Sequence, residues 1–182
     1  MTVYRIASTD SDAPQRIAES LRRVLGCPEV PLTVVCIGSD RSTGDSLGPL
    51  VGSMLLRSKQ DGVFRVMGTL DQPVHAANLQ HWMQEVGPRT PVLALDACLG
   101  APSQVGMVSV GPGPLRPGAG LHKMLPPIGD AFITGTVNVA GFADFLVLQT
   151  TRLSFVVRMA RAIAAGICGW LGVSWDCTNQ FP

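Results

Sequence analysis

The sequence predicts an α/β domain of three layers, in which a mostly parallel central sheet is covered by helices on both faces. Three observations carry this reading. The runs LTVVCI (32–37) and PVLALDA (91–97) are continuous, apolar and rich in β-branched residues, as strands buried on both faces must be. The segments between such runs repeat their apolar residues at helical spacing. Runs and segments alternate along the chain, the order that builds a parallel sheet from crossover units.

The elements follow in order. Ile17, Leu21, Val24 and Leu25 recur after Pro14, so 13–25 reads as an amphipathic helix. The strand at 32–37 comes next, and Leu47, Leu50, Val51, Met54 and Leu55 line a second helix. VFRVMGTL (63–70) is a second strand, and Ala76, Leu79, Met83 and Val86 give a helix of about three turns before Gly87 and Pro88. The third strand is 91–97 and QVGMVSV (104–110) a fourth. The stretch 111–130, GPGPLRPGAGLHKMLPPIGD, holds too many glycines and prolines for regular structure, and an ordered loop of this length usually serves a site. AFITGTVN (131–138) is a short last strand, followed by one helix, or two broken near Thr150.

The 182 residues fit one domain over 1–182. With 46% apolar residues and 15% charged, disorder is excluded as a class. A net charge of +1 supplies no footprint for nucleic acid or an anionic membrane. Cys27, Cys36, Cys98, Cys168 and Cys177 form no CxxC pair, which suits a reduced, cytoplasmic protein. Residues 1–12 have no apolar stretch of the secretory type. LSFVVRMARAIAAGICGWLGV (153–173) is long enough to span a bilayer, but Arg158 and Arg161 interrupt it on one helical face. Two central arginines are costly in lipid, so the expectation is a buried helix with one wet stripe and no membrane partner.

Polar residues cluster where strands end. In open α/β sheets, ligands bind beyond the carboxyl ends of the strands. The first strand delivers Ser39, Asp40, Arg41 and Asp45; the second delivers Thr69, Asp71 and His75; the third ends at Asp96, before Cys98; the glycine-rich loop follows the fourth. Asp45 precedes Pro49, which is tolerated in a first helical turn, so it suits a helix cap as well as a general base. Asp96 interrupts an apolar run, where a carboxylate needs a partner or a cleft. If the first and third strands are neighbours, the two carboxylates share a site, one protonated and one able to activate water.

Other residues carry weaker signals. His75, His81 and His122 lack zinc-ligand spacing; His81 reads as solvent-facing, and His75 lies close to the crevice. Cys98 has no histidine near it in sequence and reads as a small core residue. Gly38, Gly44 and Gly48 occur without GKS, GKT or GxGxxG, so the nucleotide-binding signatures are absent and no cofactor is expected. Asp40 and Arg41 read equally as site residues or as an ion pair holding the loop.

GSDRSTGDSLGPLVG, ALDACLG, PGAGLHKMLPPIGD and TGTVNVAGFADFLVLQTTRLSFV occur in this order between about residues 31 and 165. Together they resemble a sporulation-associated family, the spore proteases of YyaC type. That family is similar to germination protease, which degrades small acid-soluble spore proteins, and more distantly to the hydrogenase maturation endopeptidases. The resemblance implies a phosphorylase/hydrolase-like fold and peptide-bond hydrolysis. A catalytic aspartate of germination protease lies in PDALGP, which GDSLGP matches at Asp45; a second lies in IDAL, which LDAC matches at Asp96. In the hydrogenase maturation enzymes the position of Asp45 is an acidic metal ligand and a later histidine is another; His122 lies in that region, in a different motif. The expected site is therefore Asp45 and Asp96 as catalytic pair, no metal, and Asp40, Arg41, Ser42, Thr43, Asp71, His75, Gly118 and Gly120 around the substrate. The implied partner is a protein or peptide, such as a small acid-soluble spore protein, inside the mother cell or forespore. Self-association is compatible with the sequence; a non-catalytic binding module on the same fold and a metal-dependent processing endopeptidase are the rival readings.

Overall fold

The computed structural model describes residues 2–28, 31–58, 64–87, 90–117 and 126–175. The chain runs β1 (Tyr4–Ala7), α1 (Ala13–Leu25), β2 (Leu32–Cys36), α2 (Leu47–Ser58), β3 (Phe64–Met67), α3 (Leu79–Gln84), β4 (Val92–Gly100), β5 (Met107–Pro112), β6 (Ala131–Val139), α4 (Asp144–Thr150) and α5 (Leu153–Leu171). The strands form one six-stranded sheet in the order β1-β5-β6-β4-β2-β3. β3, β2, β4 and β6 are parallel neighbours, whereas β5 runs antiparallel to both β6 and β1. The mostly parallel sheet between helices is thus the α/β architecture expected from the alternation.

Alternation along each strand splits the core in two. Val34, Cys36, Leu93, Leu95 and Ile133 pack with α1, α2 and α5 on one face. Val35, Ile37, Val92 and Ala94 pack on the other, beneath Leu79 of α3 and the Leu115–Ile128 bridge. The first face is thick, and α5 supplies much of it: Val156, Met159, Ile163 and Ile167 are fully buried. This helix is long and apolar enough to cross a membrane, yet over half of its apolar window is buried inside the protein. Arg158 and Arg161 lie on its exposed side. Its apolarity is therefore spent on the core.

Three local outcomes differ from the sequence reading. β1 was not anticipated: four residues pair only with β5 at the sheet margin, too few to show a period. The helix of about three turns is six residues long, because Asn78 binds locally first. Its Oδ1 accepts the His75 N–H at 2.8 Å and its Nδ2 donates to the Pro73 carbonyl at 3.0 Å, which holds 73–78 as a turn. β4 continues to Gly100 rather than ending at Asp96–Ala97, with a register shift between Cys98 and Leu99. Of the two readings of the C-terminal stretch, the structure takes the two helices broken near Thr150, where Thr151 is extended and its Oγ1 donates to the Val147 carbonyl at 2.8 Å.

The antiparallel β5 corrects one further expectation. The 111–130 stretch leaves from Pro112 beside Ala131, at the edge opposite the carboxyl ends of the parallel strands. It does not start at the site. Its first residues run along the thin face through Leu115, and Pro117 thereby reaches the crevice from below.

Candidate active site

The β2 ladder with β4 ends at Cys36 opposite Leu95, with one more hydrogen bond from the Ile37 N–H to the Leu95 carbonyl at 2.7 Å. Asp96 is the next residue, still paired with Thr134 of β6 but with no β2 rung on its other side. The chain leaves β2 for α2, which packs on the thick face, and β3 leads to α3 on the thin face. The gap between β2 and β4 is therefore where the topology switches direction, the place where α/β sheets open a ligand crevice. Asp96 has the parity of Val92 and Ala94, so its carboxyl emerges on the thin-face side of that gap.

The loop after β2 folds tightly over the gap. Gly38 has φ +146, and a Cβ there would lie 2.0 Å from the Asp45 carbonyl oxygen. A Cβ on Gly48 would lie 2.0 Å from the Ile37 carbonyl oxygen, so α2 touches the strand end backbone to backbone. Gly38 and Gly48 thus serve close packing. A 3-10 turn, Gly44–Ser46, precedes α2, and Asp45 is its middle residue, with Thr43 at the cap position and no side-chain cap bond. Asp45 is thus not a side-chain cap, but it lies in the first helical turn, where the free N–H end of the helix favours a carboxylate, and it also lines the crevice.

The second strand supplies the facing wall. After Gly68 the chain turns at Thr69–Gln72 and returns so that Val74 bridges to Ile37 and its carbonyl accepts the Gly38 N–H at 2.8 Å. This places His75 in the same cleft as Asp45 and Asp96. The His75 Nδ1 accepts the Ala77 N–H at 3.3 Å.

The resulting cleft has a volume of about 500 Å³ and is lined mainly by apolar surface. Among the expected residues it gathers Asp45, Asp96, Arg41, Ser42 and His75. Asp40 and Asp71 are exposed and Thr43 is outside the lining; the Thr43 carbonyl instead accepts the Ser46 hydroxyl at 2.6 Å. Asp40 and Arg41 form no ion pair among the described residues. Gly118, Gly120 and His122 lie outside the described residues. Cys98 lies 3.4 Å from the Thr136 hydroxyl and is not part of the cleft, and His81 is exposed. Phe145, Leu148, Gln149 and Pro117 line the cleft without having been singled out in the sequence. One signal pointed to the first two: FADFLVL carries more apolar residues than one buried helical stripe can use.

The two aspartates differ in surroundings. Burial lifts the Asp45 carboxyl above the ordinary carboxylate range, and the His75 imidazole and the Ser39 N–H offset part of that. Asp96 is more deeply buried and lifted well above that range, first by desolvation and then by the charge of Asp45; only the Ala97 N–H, which donates to its Oδ1 at 2.8 Å, opposes this. Burial and the neighbouring charge thus favour the neutral form of Asp96 more strongly than that of Asp45. The buried Ser42 hydroxyl at the cleft wall has no hydrogen-bond partner among the described residues. No group of three or more His, Cys, Asp or Glu among the described residues is arranged to hold a metal ion.

A family described as "Protein of unknown function (DUF1256)" matches residues 5–166. The chain belongs to this family. It is also 48% identical over 169 residues to the uncharacterized protein YyaC of Bacillus subtilis (strain 168), a match covering 89% of this chain and 80% of that protein. The resemblance to the YyaC type is thereby shown at the level of the family. The matched span runs from β1 into α5 and includes Asp45, Asp96 and the whole described lining of the cleft.

Proposed function

We propose that this protein is a peptidase that hydrolyses a peptide bond with Asp45 as general base and Asp96 as general acid. The observation that supports it is the unequal environment of two carboxylates in one cleft at the β2/β4 gap. A peptide carbonyl yields to water only if one group takes the water proton while another meets the charge on oxygen or the leaving nitrogen. Ionised Asp45 takes the proton from water, and the hydroxide oxygen forms the new bond to the carbonyl carbon. Asp96 gives its proton to the amide nitrogen as the C–N bond breaks. Asp45 then returns its proton to Asp96, so the products are one carboxyl and one amine terminus and the pair is restored. Arg41, exposed in the cleft lining, is the donor available to the substrate carbonyl.

The family resemblance extends this to sporulating bacteria, where the substrate is a small acid-soluble spore protein and the compartment is the cytoplasm of the mother cell or forespore. The test is incubation of purified wild type, Asp45→Asn and Asp96→Asn with such spore proteins, with products identified by mass spectrometry. Cleavage by wild type and its loss in both variants is expected. Full activity in either variant overturns the pair. Loss of activity on adding chelator moves the chemistry to a metal, and no cleavage across substrates and pH leaves a binding module.

A further inference from the structure

Resting on the reading that the cleft takes a polypeptide, we propose that α4 and Phe142 form an apolar extension of the cleft that seats bulky apolar side chains of an extended segment of another protein. The helix is built unlike the rest of the molecule. None of its residues is buried, and it carries apolar side chains on more than one side. Phe145, Leu148 and Gln149 fall at i, i+3 and i+4, so one face of α4 forms a wall of the cleft that holds Asp45 and Asp96. Phe142 is fully exposed, and Phe145 and Leu146 are each 57% exposed, so the apolar surface continues outward from that wall. A grouping of this kind on an otherwise ordinary surface marks a contact site.

The support beneath the helix is firm. Leu148 fills the space over Gly44, whose Cβ would come within 2.8 Å of Leu148 Cδ2. Just after the helix, Asn138 Nδ2 donates to Thr151 Oγ1 at 3.2 Å. The apolar wall is thereby held at fixed height above the acidic pair.

The occupant follows from shape and charge. Between residues 139 and 153 the charged residues are Asp144 and Arg152, so there is no cationic belt to attract an anionic lipid surface. A flat contact with a second copy would cover Phe142 and Leu146 and leave the cleft of about 500 Å³ unfilled. A helix of seven residues is ~10 Å long, matched by about three residues of extended chain at ~3.3 Å each. Such a segment places one apolar side chain between Phe145 and Leu148, with its backbone over the aspartates.

The experiment is fluorescence anisotropy of the full chain with labelled octapeptides in a Gly/Ser background, carrying zero, one or two Phe residues at alternate positions. Affinity is expected to rise at least tenfold from zero to two Phe. Phe145→Ser and Phe142→Ser, both at exposed positions, are each expected to weaken the Phe peptides at least fivefold while leaving the melting temperature unchanged. Asp96→Asn is expected to bind them within threefold of wild type. Affinity that ignores the Phe content, or equal binding by both Phe variants, overturns the proposal. So does a monomer–dimer equilibrium abolished by Phe142→Ser, or binding to phosphatidylcholine vesicles abolished by it. Phe-dependent peptide binding by a wild type that cleaves no substrate at any pH removes the peptidase reading and keeps this one; cleavage indifferent to Phe145 does the reverse.

Discussion

The two faces of the sheet do different work. The thick face, under α1, α2 and α5, is a continuous aliphatic core in which the largest side chains are sealed from water. The thin face is covered by a six-residue helix and the first and last residues of the 111–130 stretch, and its cluster is smaller. The acidic pair opens on the thin side. Covering one face heavily lets the other stay open, because a buried carboxylate is tolerable only where its stability cost is met elsewhere. Cohesion and chemistry are thus separated by a single layer of strands.

This contrast can be broken at its strongest point by the chemistry. Asp45→Asn and Asp96→Asn should each reduce hydrolysis roughly 10²–10⁴-fold, the range of a lost general acid or base. The double variant should be little worse than either single one, since both belong to one unit. Neither should lower the melting temperature. A large loss of stability in either would show that the thin face is structural after all.

The next effect lies on the other side of the sheet. Ile163 is fully buried on α5, so Ile163→Ala should cost about 2–5 kcal/mol in denaturant unfolding. The turnover of the protein that remains folded should be unchanged. Leu115→Ala on the thin face should fall at or below the lower end of that range, because the smaller cluster can close around the gap. Equal costs would erase the distinction.

A pH series sharpens the comparison further. Asp96 is lifted well above the ordinary carboxylate range in the folded state. Between that range and the raised folded value, the folded protein holds more protons than the unfolded chain. Stability must therefore be greatest at the acid end of this window and fall as pH rises through it. Asp96→Asn should flatten that slope and melt higher than wild type at neutral pH. Activity should require Asp45 ionised and Asp96 protonated, giving a bell-shaped profile between the two raised values. An unchanged slope in the variant would place the pH dependence on other groups.

The smallest expected effect concerns the margin of the thin face. Arg65 of β3 pairs with the Glu85 carboxylate just after α3, and both side chains are partly exposed. Glu85→Ala should cost no more than about 1 kcal/mol, measured by denaturant midpoint, with no change in cleavage.

The sequence by itself determined the alternation of strands and helices, the burial of β2 and β4, and the candidacy of Asp45 and Asp96. These are properties of local period and of charges interrupting apolar runs, which need no knowledge of neighbours. It also determined that 153–171 would hide its apolar side, since two arginines three residues apart mark one wet face. Only the tertiary structure decided that β2 and β4 are adjacent, because strand order depends on which face each crossover takes. The antiparallel direction of β5, and with it the root of the 111–130 stretch at the far edge, was equally beyond local pattern. The same holds for the return of Val74 to Ile37, which carries His75 inward, while Asp40 and Asp71, just as polar in sequence, point to solvent. Residue type announces which groups can do chemistry; the direction and order of strands decide which of them meet, since contacts across a sheet join residues far apart in the chain.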